Sequence, residues 1–196
     1  MPRISAPTVR EHHARVAKAI VDAAEQILRE EGPANLTAGA VSARAGVARN
    51  SIYRYVDSID ALRGKVLDRY MPAWLDEVDR ALSGVTDPAE RLSVWARVNL
   101  RQSSVAGHAW LMNMVSSAPL DVRSATSVEE IHRVLVAVVV DAWRVLSPDR
   151  VELGVEVTRA LVNAGMRRLD AGDEAEGTIE GVVASLQAVI TALQRQ

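Results

Sequence analysis

No stretch of this chain alternates apolar and polar residues for long enough to make a half-buried strand; its apolar residues recur every three to four positions instead. Val16, Ile20, Ala23, Ala24, Ile27 and Leu28 show the pattern, which lines up one face of an α-helix. Ala, Val, Leu, Glu and Arg dominate and Phe is absent, so the expectation is an all-α protein. Punctuation then divides the chain. A first helix is expected over about Val9 to Glu31, ending at Gly32-Pro33. Thr37 can cap a short helix to about Arg44, Gly46 supplies a turn, and a third helix is expected from about Arg49 to Val56. Ser58 caps a longer fourth helix that Pro72 should kink or divide. Asp87-Pro88, Ser127 with Glu130, and Ser147-Pro148 read as three further helix starts, and a last helix covers roughly Ala175 to Leu193.

A chain of 196 residues is long enough to bury a core without staples. Cysteine is absent, which removes disulfides, thiolate metal sites and a cysteine nucleophile, and fits a reducing cytoplasm. Met1 to Thr8 lacks the apolar core of a secretory signal. The longest purely apolar run, Val134 to Val140, is far short of the roughly 20 residues that span a bilayer, so no membrane partner is expected. Residues 1–70 carry 11 Lys/Arg against 8 Asp/Glu, and residues 71–196 carry 12 against 17. A basic head on an acidic body suits a polyanion-binding module attached to a part with other work.

The informative segment is Leu36 to Leu62, LTAGAVSARAGVARNSIYRYVDSIDAL. Two short helices joined through Ala45-Gly46-Val47, with Val41, Ala45, Val47, Ile52 and Leu62 available for a small shared core, make a helix-turn-helix whose second helix can enter a major groove. Arg49, Asn50 and Arg54 can offer hydrogen bonds to base edges, while Thr37, Ser51, Tyr53 and Tyr55 can reach phosphate oxygens. Arg44 is a further candidate for backbone contact.

This segment resembles the TetR family of transcriptional regulators, whose corresponding stretch commonly reads T-x-x-x-I-A-x-x-A-G-V-S-x-G-T-L-Y-x-H-F-x-S-K-x-x-L. Thr37, Ala45, Gly46, Val47, Tyr53, Ser58 and Leu62 match it, and Val41, Ser51, Ile52 and Tyr55 are close substitutes. Val56, Asp57 and Ile59 depart from it; Ile59 stands where the family usually has a lysine. The resemblance covers roughly the first 70 residues. It implies a three-helix DNA-binding domain over residues 1–57, followed by a larger helical effector-binding and dimerisation domain over 58–196. It further implies a homodimer on a palindromic double-stranded operator, a small-molecule effector, no cofactor, and repression as the common mode.

In the body, Trp95, Asn99, Trp110, Met114, His132 and Trp143 could line an effector cavity. The same aromatic and methionine set at helical spacing also reads as plain core. Near the C-terminus small residues run beside Ile179, Val183, Leu186 and Ile190, and the preceding helix offers Leu161 and Gly165. These six residues are the expected dimer interface in a four-helix arrangement, with packing inside one chain as the alternative.

The main enzyme alternative is a helical-bundle di-iron protein, because Glu129 and His132 have the i, i+3 spacing of a carboxylate-bridged ligand pair. The required second copy is missing: neither His108, His12 nor His13 has a carboxylate three residues earlier. No complete catalytic or phosphate-cradling motif occurs. The expectation is therefore a binding protein with no metal and no catalytic residue.

Overall fold

The computed structural model describes residues 6–107 and 122–195, and for 6–8, 106 and 122–132 it describes the backbone alone. The described residues form helices and no strand: α1 (Ala6–Glu30), α2 (Ala38–Ala45), α3 (Ile59–Leu82), α4 (Pro88–Ala106), α5 (Val122–Leu146), α6 (Val151–Asp170) and α7 (Ala175–Gln194). Short 3-10 turns cover Pro33–Asn35, Arg49–Arg54 and Pro148–Arg150. Contacts group the described residues 6–69 with 122–126, and 70–107 with 127–195.

In the first unit α1 packs on α2, and the core gathers Ile20, Ala24, Ile27 and Leu28 of α1 with Leu36, Val41, Ile52, Val56, Leu62 and Val66. Burying each large aliphatic side chain contributes about 1.5–3 kcal/mol, which is what lets such short elements hold together. Gly32, at φ 82°, ends α1 in the left-handed region that glycine enters without cost, so its own N–H and that of Glu31 both reach the Ile27 carbonyl, at 3.0 and 2.8 Å. Arg69 of α3 joins Asp22 (2.7 Å) and Glu25 (2.8 Å) of α1. The Asp22 carboxyl is held below its usual range by the Lys18 hydrogen bond and then by Arg69, against an opposing effect of burial.

The second unit is built around α4, which packs on α6 and α7, while α6 and α7 pack on each other. Asp87 caps α4 by accepting from the Glu90 N–H at 2.8 Å, with Pro88 in the first turn. Glu174 caps α7, accepting from Glu176 and Gly177. Two glycines on α6 let large neighbours approach: a Cβ on Gly154 would fall inside the Trp143 indole, and one on Gly165 would lie 2.8 Å from both Leu100 and Val182. Two buried polar pairings fix the interior. Trp74 donates to Asn99 Oδ1 at 2.9 Å, and Asn99 Nδ2 donates to the Trp95 carbonyl at 2.8 Å. Trp143 donates to the Thr158 hydroxyl at 3.0 Å, which donates to the Gly154 carbonyl at 2.7 Å. Arg97 pairs with Glu180 across α4 and α7, and Arg101 pairs with Glu176 at 3.2 Å.

Three local expectations change. The third helix is a six-residue 3-10 turn, Arg49–Arg54, preceded by Ala48, which has no side-chain oxygen to cap it. α3 continues through Pro72 and is not divided there. α5 begins at Val122, so Ser127 lies inside the helix rather than at its start.

Candidate nucleic-acid interface

Thr37 begins the site. Its backbone is extended, and its hydroxyl oxygen accepts from the Ala40 N–H at 3.1 Å, capping α2 and leaving its own O–H to point outward at an exposed position. α2 closes at Gly46, whose φ of 66° belongs to the left-handed region, and its N–H returns to the Ser42 carbonyl. The chain then reverses into the 3-10 turn. Ile52 and Val56 are buried in the small core, and this anchoring turns Arg49, Asn50, Tyr53 and Arg54 outward; Tyr53 is 56% exposed. At three residues per turn, Asn50 and Tyr53 share one edge and Ser51 and Arg54 the next. Ser51 and Tyr55 are half-buried. Two cations, an amide and a phenol are thereby presented together to solvent, the donor set that suits base edges and phosphates.

Two residues have structural duties that the sequence does not announce. The Arg44 guanidinium is divided between Glu30 (2.8 Å) and Glu31 (2.7 Å), so its charge is largely matched within the chain. Tyr55 has its ring 4.5 Å from that of His13 on α1, with the planes tilted by 36°. His13 enters the surface only through this tertiary contact, since neither its spacing nor its neighbours in sequence signal it. Ser58 caps α3 by accepting from Ala61 N–H at 3.0 Å, and Ile59 behind it is half-buried.

Of the residues expected around an effector, Trp95, Asn99 and Trp143 have described side chains. Trp110 and Met114 lie outside the described residues, as does the His132 side chain and with it the Glu129 and His132 pair. Trp143 is fully buried with its N–H engaged by Thr158, and Asn99 is committed at both ends of its amide, so both serve the core of the second unit. Trp95 is buried as well.

Of the residues expected at a dimer interface, Ile179, Val183, Leu186 and Ile190 are buried within the chain itself, on the side of α7 that packs on α4 and α6. They are core positions and not interface positions: an α-helix can turn only one face to its own subunit, and the larger aliphatic side chains take it. Gly165 is buried at the α6 and α7 contact, and Leu161 is half-buried. The opposite face of α7 exposes Gly177, Gly181, Ala184, Ser185 and Ala188. Beside it an open groove of about 610 Å³ runs between α6 and α7, lined by Leu161, Ala164, Thr178, Gly181 and Ser185 among others. Among the described residues no helix is long and apolar enough to cross a membrane, and no group of three or more His, Asp or Glu could hold a metal ion.

Comparison with known proteins agrees with this layout. Residues 20–66 match the family described as bacterial regulatory proteins, tetR family. An uncharacterized HTH-type transcriptional regulator of Mycobacterium tuberculosis is 35% identical over 85 residues, which are 43% of this chain and 42% of that protein. The chain thus spans about two fifths of the length of the first curated relatives it matches. The HTH-type transcriptional regulator BetI of Rhizobium meliloti is 26% identical over 189 residues, 95% of this chain and 78% of BetI. A TetR transcription regulator of Haloarcula marismortui superimposes with a TM-score of 0.66 at 20% identity, covering 92% of this chain and 98% of that one, a likeness of fold.

Proposed function

We infer, from the match of residues 20–66 to the family of bacterial regulatory proteins called tetR, that this chain is a repressor of transcription that leaves its operator when a small molecule binds the C-terminal body. Residues 1–57 form the DNA-reading part and 58–196 the effector-binding and dimerising part. The observation that carries the reading is the outward display of Arg49, Asn50, Tyr53 and Arg54 over the buried pair Ile52 and Val56. Arg49, Asn50 and Arg54 read base edges, and Thr37, Ser51, Tyr53 and Tyr55 hold phosphates.

Two copies place two such surfaces about 34–36 Å apart, in successive major grooves of a palindromic site. The exposed small-residue face of α7, with Leu161 and the groove beside it, is the surface through which the copies meet: Gly181, Ala184, Ser185 and Ala188 allow close helix approach. An effector that binds better to a wider spacing of the heads draws the population off DNA, and operator DNA must weaken effector binding by the same factor. A repressor acts where the chromosome is, and the cytoplasm is the location that fits this reading.

The test is selection of bound fragments from random duplex DNA, followed by titration of the purified chain against the selected sequence. The expected result is a preferred, two-fold symmetric site whose discrimination falls when Arg49 or Asn50 is replaced by alanine. Equal affinity for all duplexes at modest ionic strength would overturn the proposal.

A further inference from the structure

The buried side of α4 carries three polar side chains one helical turn apart, Trp95, Asn99 and Ser103, and only the middle one is satisfied. Asn99 spends its oxygen on Trp74 and its amide N–H on the Trp95 carbonyl. The indole N–H of Trp95, a residue 6% exposed, and the hydroxyl of Ser103, 1% exposed, have no hydrogen-bond partner among the described residues. A hydroxyl on a helix ordinarily turns back to a carbonyl three or four residues earlier. Ser93, Ser104 and Ser185 do so, to Ala89, Arg101 and Gly181. Ser103 does not, so its hydroxyl remains available. Burying a donor without an acceptor costs on the order of 1–3 kcal/mol, and two such groups along one stripe of one helix call for a third party.

The charge around that stripe narrows what the third party is. The buried polar residues of the second unit, among those described, are Ser93, Asn99, Ser103 and Thr158, all uncharged. Ser93 and Thr158 are already hydrogen-bonded. A charged molecule brought there finds no buried counter-charge among the described residues to offset its lost hydration. The indole N–H can only donate, so it selects an acceptor.

We propose that Trp95 and Ser103 read the effector, and that the effector is a neutral, largely apolar molecule carrying hydrogen-bond acceptors such as ester, ketone or lactone oxygens. Eight residues of helix separate the two groups by about 12 Å, so one elongated molecule can engage both. The identification rests on the effector-switch reading given above, but it fails separately from it.

The experiment uses the full chain and matched methyl esters, carboxylates and trimethylammonium compounds on octyl, decyl and naphthyl skeletons. Binding is followed by calorimetry, and operator affinity by fluorescence anisotropy in parallel. Esters are expected to bind while both charged series do not. Trp95→Phe, which keeps the ring and removes only the N–H, should weaken ester binding by several-fold to about tenfold, and Ser103→Ala by several-fold. Thermal unfolding establishes that each variant is folded; where Trp95→Phe is not, Ser103→Ala carries the comparison. Tighter binding of a charged series, absence of ester binding, or ester binding indifferent to both substitutions would overturn the proposal, the last two pointing to enclosed water as the partner. Ester binding that depends on Trp95 but leaves operator affinity unchanged would uphold the site and remove the switch.

Discussion

Trp143 of α5 and Thr158 of α6 are joined by a buried hydrogen bond of 3.0 Å, and the Thr158 hydroxyl continues it to the carbonyl of Gly154, the residue on which the indole lies. Packing and polarity are fixed by one arrangement. Gly154→Ala forces the ring out of its place, and overpacking of this kind costs about 1–3 kcal/mol or more. Urea unfolding should show that loss. Trp143→Phe should cost about 1–2 kcal/mol and leave effector binding as it was, in contrast to Trp95→Phe. An unchanged unfolding midpoint for Gly154→Ala would contradict the packing.

Arg44 and Arg54 carry the same charge but should answer differently to salt. Arg54 is exposed on the reading turn, whereas Arg44 is shared between Glu30 and Glu31. Arg54→Ala is expected to reduce the slope of log affinity against log salt by about one unit, and Arg44→Ala to leave it nearly the same. Ile59→Lys, which adds a cation at the start of α3, should steepen it by about one. Equal slopes for the two arginine variants would count against the assignment of roles.

Ala48 precedes the reading turn with an extended backbone and no side-chain cap. Ala48→Ser supplies an oxygen where Thr37 already supplies one to α2. The change should stabilise the protein by about 0.5–1 kcal/mol, visible as a higher thermal midpoint with increased helical circular dichroism. A lower midpoint would show that the turn needs its present form.

Acid should loosen the first unit through Asp22. Its carboxyl is held below the ordinary range by Lys18 and then Arg69, so the stabilisation is present in full above the carboxylate pKa of the unfolded chain and disappears as pH falls through the lower value of the folded chain. Asp22→Asn should therefore be less stable than the parent at neutral pH, with the gap closing under acid. Parallel stability profiles for the two proteins would refute this.

Gly181 tests the proposed meeting surface of two copies without disturbing one. A Cβ there meets nothing within 4 Å, so Gly181→Arg fits the single chain while obstructing close helix approach. Sedimentation should show a shift from dimer to monomer and a loss of operator affinity of at least tenfold. Replacing Val183 or Ile190 by aspartate would instead break the chain's own core, where both are buried.

How much of this was legible beforehand depends on whether the cause is local. Helix ends set by Thr37, Ser58, Asp87 and Gly46 were readable because each is satisfied by its immediate neighbours. The helical class was equally plain from spacing. The 3-10 form of Arg49–Arg54 was not, because it reflects a missing cap and a short segment pinned by Ile52 and Val56. The division of α7 into a core face and an exposed small-residue face was also hidden. Periodicity shows that Ile179, Val183, Leu186 and Ile190 share a side, but not whether their own subunit or a second one covers it. The roles of Arg44, His13 and Trp143 depend on partners distant in sequence or on a close approach at glycine, and no local pattern encodes those.

Proline at position 72 lies inside α3. It brings no amide hydrogen, so the Asp68 carbonyl one turn earlier is left without its usual helical donor, and the rod loses one rung of its ladder. The missing rung falls within a turn of Arg69, the last residue grouped with the first unit, so the backbone of this helix is tied more loosely there than along a stretch where every amide donates.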